Sequence, residues 1–577
     1  MLPLPSLSMR FPALAALFLA AGCSAAAAQH ASTPEASGEM GAPFVPVLTE
    51  GYRFTVADTT EFRRLGQAVA ALSLDQVPGA TEHVVFAGSG NDDDLGSGAG
   101  SAYVFSLDPT TGRATERQKL FPPEYNGNGR FGHDLAAIPA TSGPGGGPPA
   151  LAVAAHNERA PGDPSIPSAG AVHLFEPDPL GLWRHVATLR GDDLSDQFGR
   201  SVSACAEGRP RFIAGDGPLN GNANWGAYVV SRDAGGTWVR SEQLTSPDPN
   251  ATRFGRHVAL SGSIAVVADP SAFRPGSMPE DDFRDGAVYV FEEQADGTWG
   301  APETIASPIP PNAADGSAFG FDVAIAQGPR GPVVLAGALY SYGGAGRVFA
   351  FERGADGVWA LVQTLLPPPE GGFFGAAIET WEVEGATLAL VTASASAAGG
   401  VFASGAAHAY LLRDDVGSVW EPVAEMHPSD PVDSAYFASG VPAWVGGSAL
   451  IPYLNVNLGG RRDVGEILTY DLRAYVPVVS EAGPPETPEA SGVSVRVGPS
   501  PARGRATAYV SLARPSPEVT VTVLDARGRE MATIASGAKG AGEHAIVFDA
   551  SALAPGVYAV RVSASGGAAY ARFVVAR

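Results

Sequence analysis

Apolar positions along this chain fall into short runs with no helical stripe. A strand-like run begins at Gly100 (GSAYVF), Gly170 (GAVHLF), Gly226 (GAYVV), Gly286 (GAVYVF), Gly346 (GRVFAF), Gly405 (GAAHAY) and Gly465 (GEILTY), a spacing of about 61 residues. Residues 287–291 are apolar at consecutive positions, so both faces of that strand are expected to be buried between neighbouring sheets. Three more markers keep step. "LG" at 65–66 becomes "FG" at 131–132, 198–199, 254–255, 319–320 and 374–375, then "FA" at 437–438, each leading into an alternating stretch such as RHVALS. Between this marker and the GAVYVF run lies a short strand (VVFAGSG, LAVAAHN, RFIAGDG, IAVVADP, VVLAGAL, LALVTAS). After the run, Trp183, Trp238, Trp299, Trp359 and Trp420 each open a fourth strand. Past residue 492 the period changes to two: Val519, Val521 and Val523 alternate with Thr520 and Thr522, and Tyr558, Val560 and Val562 with Ala559 and Arg561.

Four strands per repeat is the content of one propeller blade. The pattern predicts an all-β chain: a seven-bladed β-propeller over 52–479, a Pro- and Glu-rich linker over 480–492, and a small Ig-like β-sandwich over 493–577. A ring has no exposed sheet edge if its first and last segments share a blade, and either residues 52–56 (YRFTV) or residues 473–479 (RAYVPVV) supply the closing strand. The 577 residues, 72 Gly and 49 Pro agree with many short strands and tight turns. A formal charge of −23 disfavours nucleic acid as a partner. The expected state is a monomer without a transmembrane helix, since no run beyond the N-terminus approaches membrane length.

The repeat markers resemble the FG-GAP repeat of integrin α-subunit propellers and many secreted bacterial proteins. That resemblance implies a seven-bladed propeller used for binding. The integrin-type calcium loop between the FG strand and the next is absent: the corresponding stretches read SGS (261–263), AQGPRG (326–331) and AEGRPR (206–211), too poor in oxygen ligands for calcium. No metal site, cofactor or catalytic residue is assigned. Acidic residues stand instead in the loops between second and third strands: Asp92, Asp93 and Asp94, Asp216, Asp269, and Glu280, Asp281 and Asp282. With the loop aromatics Trp225 and Tyr342, they form the candidate ligand face.

The C-terminal module resembles the type A sorting domain of the type IX secretion system of Bacteroidetes. Asp525, Gly528 and Arg529 match its D-x-x-G-R turn, and Gly542, His544, Leu553, Gly556 and Tyr558 its G-x-H…L-x-x-G-x-Y pattern. The resemblance implies passage through the outer membrane by that machinery and a secreted or outer-surface protein. At the other end, Arg10 and the apolar run FPALAALFLAAG read as a secretory signal over 1–28, followed by a flexible segment over 29–51. Cleavage near Ala28 suits full export; LAAGC instead offers Cys23 for lipidation and a lipoprotein anchor.

Other motifs carry less. SRDAGGTW (231–238) fits the Asp box seen in sialidases, but there the box is a turn element without a catalytic part, and Asp233 is expected to cap its own hairpin. An RGD at 190–192 falls in a turn, and Cys205 reads as a buried small hydrophobe. The expected function is a non-catalytic binding or adhesion module for an extracellular glycan, matrix polymer or protein. The alternative is a secreted glycoside hydrolase or lyase on the same scaffold.

Overall fold

The computed structural model describes the chain from residue 46 to residue 575. Residues 477–492 and a set of loop segments, among them 57–62, 160–167, 192–196, 218–225, 273–284 and 526–529, lie outside the described part. The described chain is all-β except for a single helical turn, Ser341–Gly344.

Seven small antiparallel sheets follow one another along the chain. Sheet 1 is Val69–Leu72, His83–Ser89, Ser101–Leu107 and Ala114–Leu120. Sheet 2 is Leu135–Ile138, Ala150–Ala155, Ala171–Pro177 and Trp183–Arg190. Sheet 3 is Val202–Cys205, Arg211–Gly215, Gly226–Arg232 and Trp238–Thr245. Sheet 4 is His257–Ser261, Ile264–Asp269, Ala287–Glu292 and Glu303–Ala306. Sheet 5 is Phe319–Gly328, Gly331–Ala338, Val348–Arg353 and Trp359–Leu365. Sheet 6 is Phe374–Val383, Ala386–Ala393, Ala406–Arg413 and Trp420–Met426. Sheet 7 is Ala443–Val445, Ser448–Tyr453 and Glu466–Asp471, completed by Tyr52–Phe54 from the N-terminal side.

Of the two proposed closing segments, Tyr52–Phe54 is therefore the one used, in register with Ile467–Thr469. The chain at 473–476 only turns. Two strand expectations shift. Trp299 makes a single bridge to Glu293 and the fourth strand of sheet 4 begins at Glu303, because Pro302 has no N–H for the ladder. Val47–Leu48, assigned above to the flexible 29–51 segment, pairs in parallel with Glu425 and Met426 and makes sheet 6 five-stranded. This pairing rests on backbone hydrogen bonds along a sheet edge, which leave no side-chain pattern to read.

What joins the sheets is the FG marker. The Phe131 N–H donates to the Ala99 carbonyl (3.0 Å), Phe198 to Ala169 (3.1 Å), Phe319 to Asp285 (2.9 Å), Phe374 to Ala345 (3.1 Å) and Phe437 to Ser404 (2.8 Å). In each case the acceptor immediately precedes the glycine that opens the previous repeat's third strand. The series closes on itself: Leu65 N–H, in the first repeat's LG, donates to Val464 of the last (3.1 Å). The first strands follow the same order, and Ala443–Val445 packs back on Val69–Leu72. Each Phe is fully buried and meets third-strand aromatics of its own repeat edge-on, as Phe319 does with Phe349 and Phe351 at 6.0 and 5.9 Å.

The opening glycine sits where only glycine fits. Gly286 has φ +87°, and a Cβ there would collide with the Phe319 backbone. Further out, a glutamine amide locks neighbouring sheets: Gln118 accepts from Trp183 N–H and donates to its carbonyl (both 2.9 Å), and Gln363 does the same for Trp420 (2.7 and 3.0 Å).

The C-terminal part folds as two facing sheets. One holds Val493–Gly498, Arg505–Leu512 and Gly542–Asp549; the other holds Glu530–Lys539, Ser516–Asp525, Gly556–Ala564 and Gly567–Val575. The period-two pattern reports its burial directly: Val519, Val521, Val523, Val560 and Val562 all point into the core.

The glycine geometry separates two costs. Gly297 has φ +86° with open space around a Cβ, so Gly297→Ala should cost only the backbone strain, about 1 kcal/mol. Gly286→Ala adds a backbone collision and is expected to lose about 2–4 kcal/mol, or to fail to fold, by urea denaturation. Equal losses at the two positions would show that the junction is not held by this approach.

Candidate functional site

The acidic loop residues selected from sequence do not form one solvent-facing surface. Asp92 is buried and accepts from Arg63 (2.9 Å), Ser101 (2.6 Å) and Tyr103 (3.0 Å), with the Lys119 ammonium at 2.7 Å. Burial pushes its carboxyl up, but the donors, Lys119 foremost, outweigh this and hold it below the ordinary range. Asp94 pairs with the same Arg63 and Lys119, and the exposed Asp93 accepts from the Gly98 N–H. Asp216 is buried and accepts from Gly226 N–H and Gln243. Asp269, fully buried, accepts from the Thr252 (3.2 Å) and Ser271 (2.9 Å) N–H groups. Asp92, Asp216 and Asp269 are struts of the loops, which corrects the ligand-face expectation for them. Loop backbones at close junctions carry unpaired N–H groups, and a short carboxylate is what satisfies them.

Tyr342 is exposed (43%) and stacks on Arg347, whose guanidinium lies 3.8 Å from the ring centre. Trp225, Glu280, Asp281, Asp282, Cys23, Gly528 and Arg529 lie outside the described residues. In the C-terminal module, Asp525 stands directly opposite Tyr558 across two strands, so two separate motif segments meet there. Gly556 opens the Tyr558 strand, Gly542 takes φ +110°, and His544 bonds the Gly540 carbonyl (2.8 Å). Asp233 accepts from the N–H groups of Gly235 and Thr237 (2.8 and 2.9 Å), the hairpin cap expected of it. Arg190 of the RGD turns inward to Glu158, and Cys205 is buried with its Sγ accepting from Gly262 N–H.

The strongest concave site lies elsewhere. The first strands of all seven sheets line a cavity of about 790 Å³, within the roughly 300–1,000 Å³ range of ligand sites. The residues directly after each FG supply its chemistry: Gln67, His133 and Asp134, Arg200, Arg256 and His257, Phe321 and Asp322, with Glu379 further along its strand. Asp134 and Asp322 play one role in two places. Each accepts from the N–H of its own next residue and from the neighbouring sheet, Asp134 from Val202 (2.8 Å) and Asp322 from Ile378 (2.7 Å).

Crowding in this narrow space disturbs protonation. Desolvation, helped by the nearby Asp322 charge, raises the Asp134 carboxyl to about 7 against its backbone donors. Desolvation with both aspartates pushes Glu379 well above the carboxylate range. His133 and His156, rings 4.2 Å apart, are driven neutral by burial and by the arginines beside them. His156 Nε2 accepts from Arg200 (2.9 Å).

At the FG end, Arg130, Arg200 and Arg256 come from three successive repeats and make no ion pair among the described residues. Desolvation and the neighbouring Arg256 and Arg130 lower Arg200 to about 9. Next to Arg256 an aromatic row begins: His257 to Phe321 (5.4 Å), Phe321 to Tyr340 (6.2 Å) and Tyr340 to Phe373 (5.7 Å). Tyr340 is 48% exposed. Sequence reading missed these groups by treating the FG stretch only as scaffold. The available signal was that the one or two residues after each marker vary in chemistry far more than the FG itself, which changes only to LG in the first repeat and FA in the last.

Among the described residues no helix is long and apolar enough to cross a membrane, and no group of three or more His, Cys, Asp or Glu side chains is placed to hold a metal ion. Residues 499–568 match the family model of the FlgD Ig-like domain, in keeping with the C-terminal sandwich. No curated protein matches the chain. Among solved structures the chain is similar to PorZ, an essential bacterial surface component of the type-IX secretion system of Porphyromonas gingivalis. The two are 15% identical with a TM-score of 0.37, over 91% of this chain and 61% of PorZ. It is also similar to a functionally unknown protein from Desulfotomaculum acetoxidans (12% identity, TM-score 0.38, 66% of this chain and 92% of that one). A third is a putative 6-phosphogluconolactonase from Bacteroides uniformis (16%, 0.37, 61% and 84%). None of the three reaches the structural agreement at which a function carries across.

Two outcomes are expected. Asp92→Ala should cost about 3–5 kcal/mol in denaturant unfolding, because it leaves the fully buried Arg63 with only the more distant, partly exposed Asp94. A raised carboxyl binds its proton more tightly folded than unfolded. The Asp134 contribution is therefore complete below about pH 4 and is lost as pH rises to about 7. Melting temperatures of Asp134→Asn should thus rise relative to the parent between those limits; a constant difference would refute the raised carboxyl.

Proposed function

We propose that the chain is a secreted or outer-surface binding module: a seven-bladed propeller of FG-GAP type that recognises an extracellular glycan, exported by type IX secretion through its C-terminal module. The observation that carries the reading is the series of FG junctions running from Phe131 to Phe437 and returning through Leu65 to Val464, with all seven first strands lining one cavity. A site built from seven strands of a ring is preorganised, since no single loop must order on binding. Exposed Tyr340 and Tyr342 offer the flat apolar faces that sugar rings stack on. Matrix polymers and proteins remain within the same binding class, but a recessed cavity suits a narrow chain better than a broad protein face.

Export rests on the sorting-domain pattern of Asp525, Gly542, His544, Gly556 and Tyr558, together with the sandwich that displays them. Removal of residues 493–577 in a type IX-competent host is expected to trap the protein in the periplasm. Undiminished surface delivery of the truncated chain would sink that part.

The binding module is read as non-catalytic because Asp134 and Asp322 are occupied as backbone acceptors. One observation favours a second reading, a glycoside hydrolase or lyase: in the cavity, desolvation and the two aspartates raise the Glu379 carboxyl well above the ordinary range, the direction a general acid requires. A glycan array run beside a panel of chromogenic glycosides separates the two. Binding without turnover is expected, whereas turnover lost in Glu379→Gln would establish the enzyme.

A further inference from the structure

We infer that the FG end of the cavity is an anion-recognition subsite, so that the glycan it takes is an acidic one bearing carboxylate or sulfate groups. This rests on the glycan-binding reading above and specifies its substrate class.

The argument starts from placement. Arg200 and Arg256 follow Gly199 and Gly255 at the same position of adjacent repeats, both line the cavity and both are partly accessible. Arg130 precedes Phe131 in the repeat before, and Arg253 precedes Phe254. Arg64, one repeat earlier still, has Asp463 at 3.3 Å; the other four form no ion pair among the described residues. Five arginines thus gather around one end of a cavity in a protein of net charge −23.

The FG junction itself does not ask for that gathering. Phe319, Phe374 and Phe437 make the same FG junctions in repeats where Ala318, Phe373 and Tyr436 stand before the motif and Phe321, Ala376 and Ser439 after it. Like charges held together lose free energy, and Arg200 and Arg256 are both shifted down, first by desolvation and then by neighbouring arginines. Of the nearby acids, Asp134 and Asp322 are engaged by backbone N–H groups, with the Asp134 charge also acting on Arg200, and desolvation raises Glu379 well above the carboxylate range. The nearby imidazoles add no charge, since His133, His156 and His257 are all shifted down by burial. Two guanidinium groups just ahead of the first strands of adjacent sheets, Arg200 with one nitrogen on His156, offer planar donors of the kind that carboxylate and sulfate oxygens accept. The wall of Phe321, Tyr340 and Phe373 beside them supplies a face for the sugar ring carrying that anion.

The test titrates the full chain by calorimetry with three oligosaccharides of equal length, one rich in uronic acid, one sulfated and one neutral, at low and high salt. At least one acidic oligosaccharide is expected to bind roughly tenfold or more tighter than the neutral one, because hydrogen bonds to charged groups are the stronger ones. The preference should shrink with salt and vanish in Arg256→Gln, while Tyr340→Ala should weaken acidic and neutral ligands alike. The carboxylate and sulfate arms identify the anion. Arg130→Gln, outside the cavity lining, is the second variant should Arg256→Gln not fold, as judged by its melting curve. Equal binding of neutral and acidic ligands, untouched by either arginine change but lost in Tyr340→Ala, would overturn the acidic assignment and leave the glycan reading standing. Absence of binding to all three would overturn the glycan reading itself.

Discussion

The backbone bond from Phe131, Phe198, Phe319, Phe374 and Phe437 to the residue before the preceding repeat's glycine is the contact on which the other features depend. It joins the start of one sheet's third strand to the start of the next sheet. Repeated, it fixes the angle and spacing of the sheets it joins. Gly286 shows how tight the contact is: the Phe319 backbone occupies the space a Cβ would need. The phenylalanine ring then turns back into its own repeat, so the same residue joins sheets by its main chain and fills a core with its side chain.

From that contact the cavity follows. Junctions that return from Val464 to Leu65 put seven first strands side by side, and whatever follows each FG must line the space between them. Part of this lining maintains the assembly: Asp134 and Asp322 bridge sheets by accepting N–H groups from both. Of the arginines after Gly199 and Gly255, Arg200 reaches back to His156 of the preceding repeat, while Arg256 forms no ion pair among the described residues. Structural and chemical duties are therefore divided among equivalent positions of different repeats, which a repeat protein can do because each copy needs only the shared junction to stay in place.

The repeat period, the four strands per unit and the two-sheet C-terminal module were all legible in the sequence, because burial on both faces and burial on one leave different periods. The acidic loops show the limit of such reading. Asp92, Asp216 and Asp269 look like a polar surface in one dimension, yet each is drawn inward to satisfy donors that the junctions leave over. Val47–Leu48 was illegible for a related reason: its partner is the backbone edge beside Glu425, and backbone pairing is almost indifferent to side-chain identity.

The amino-acid sequence by itself determined the strands, their grouping into repeats and the glycine positions, since these follow from local sterics and from which faces must leave water. Only the tertiary structure decided that Tyr52–Phe54 completes the last sheet and that Leu65 meets Val464. It alone also decided that Arg130, Arg200 and Arg256 share one end of a cavity with Tyr340. Residues some 55–70 positions apart become neighbours only when the sheets pack on one another, and which charges share a site is visible only once those neighbours are in place.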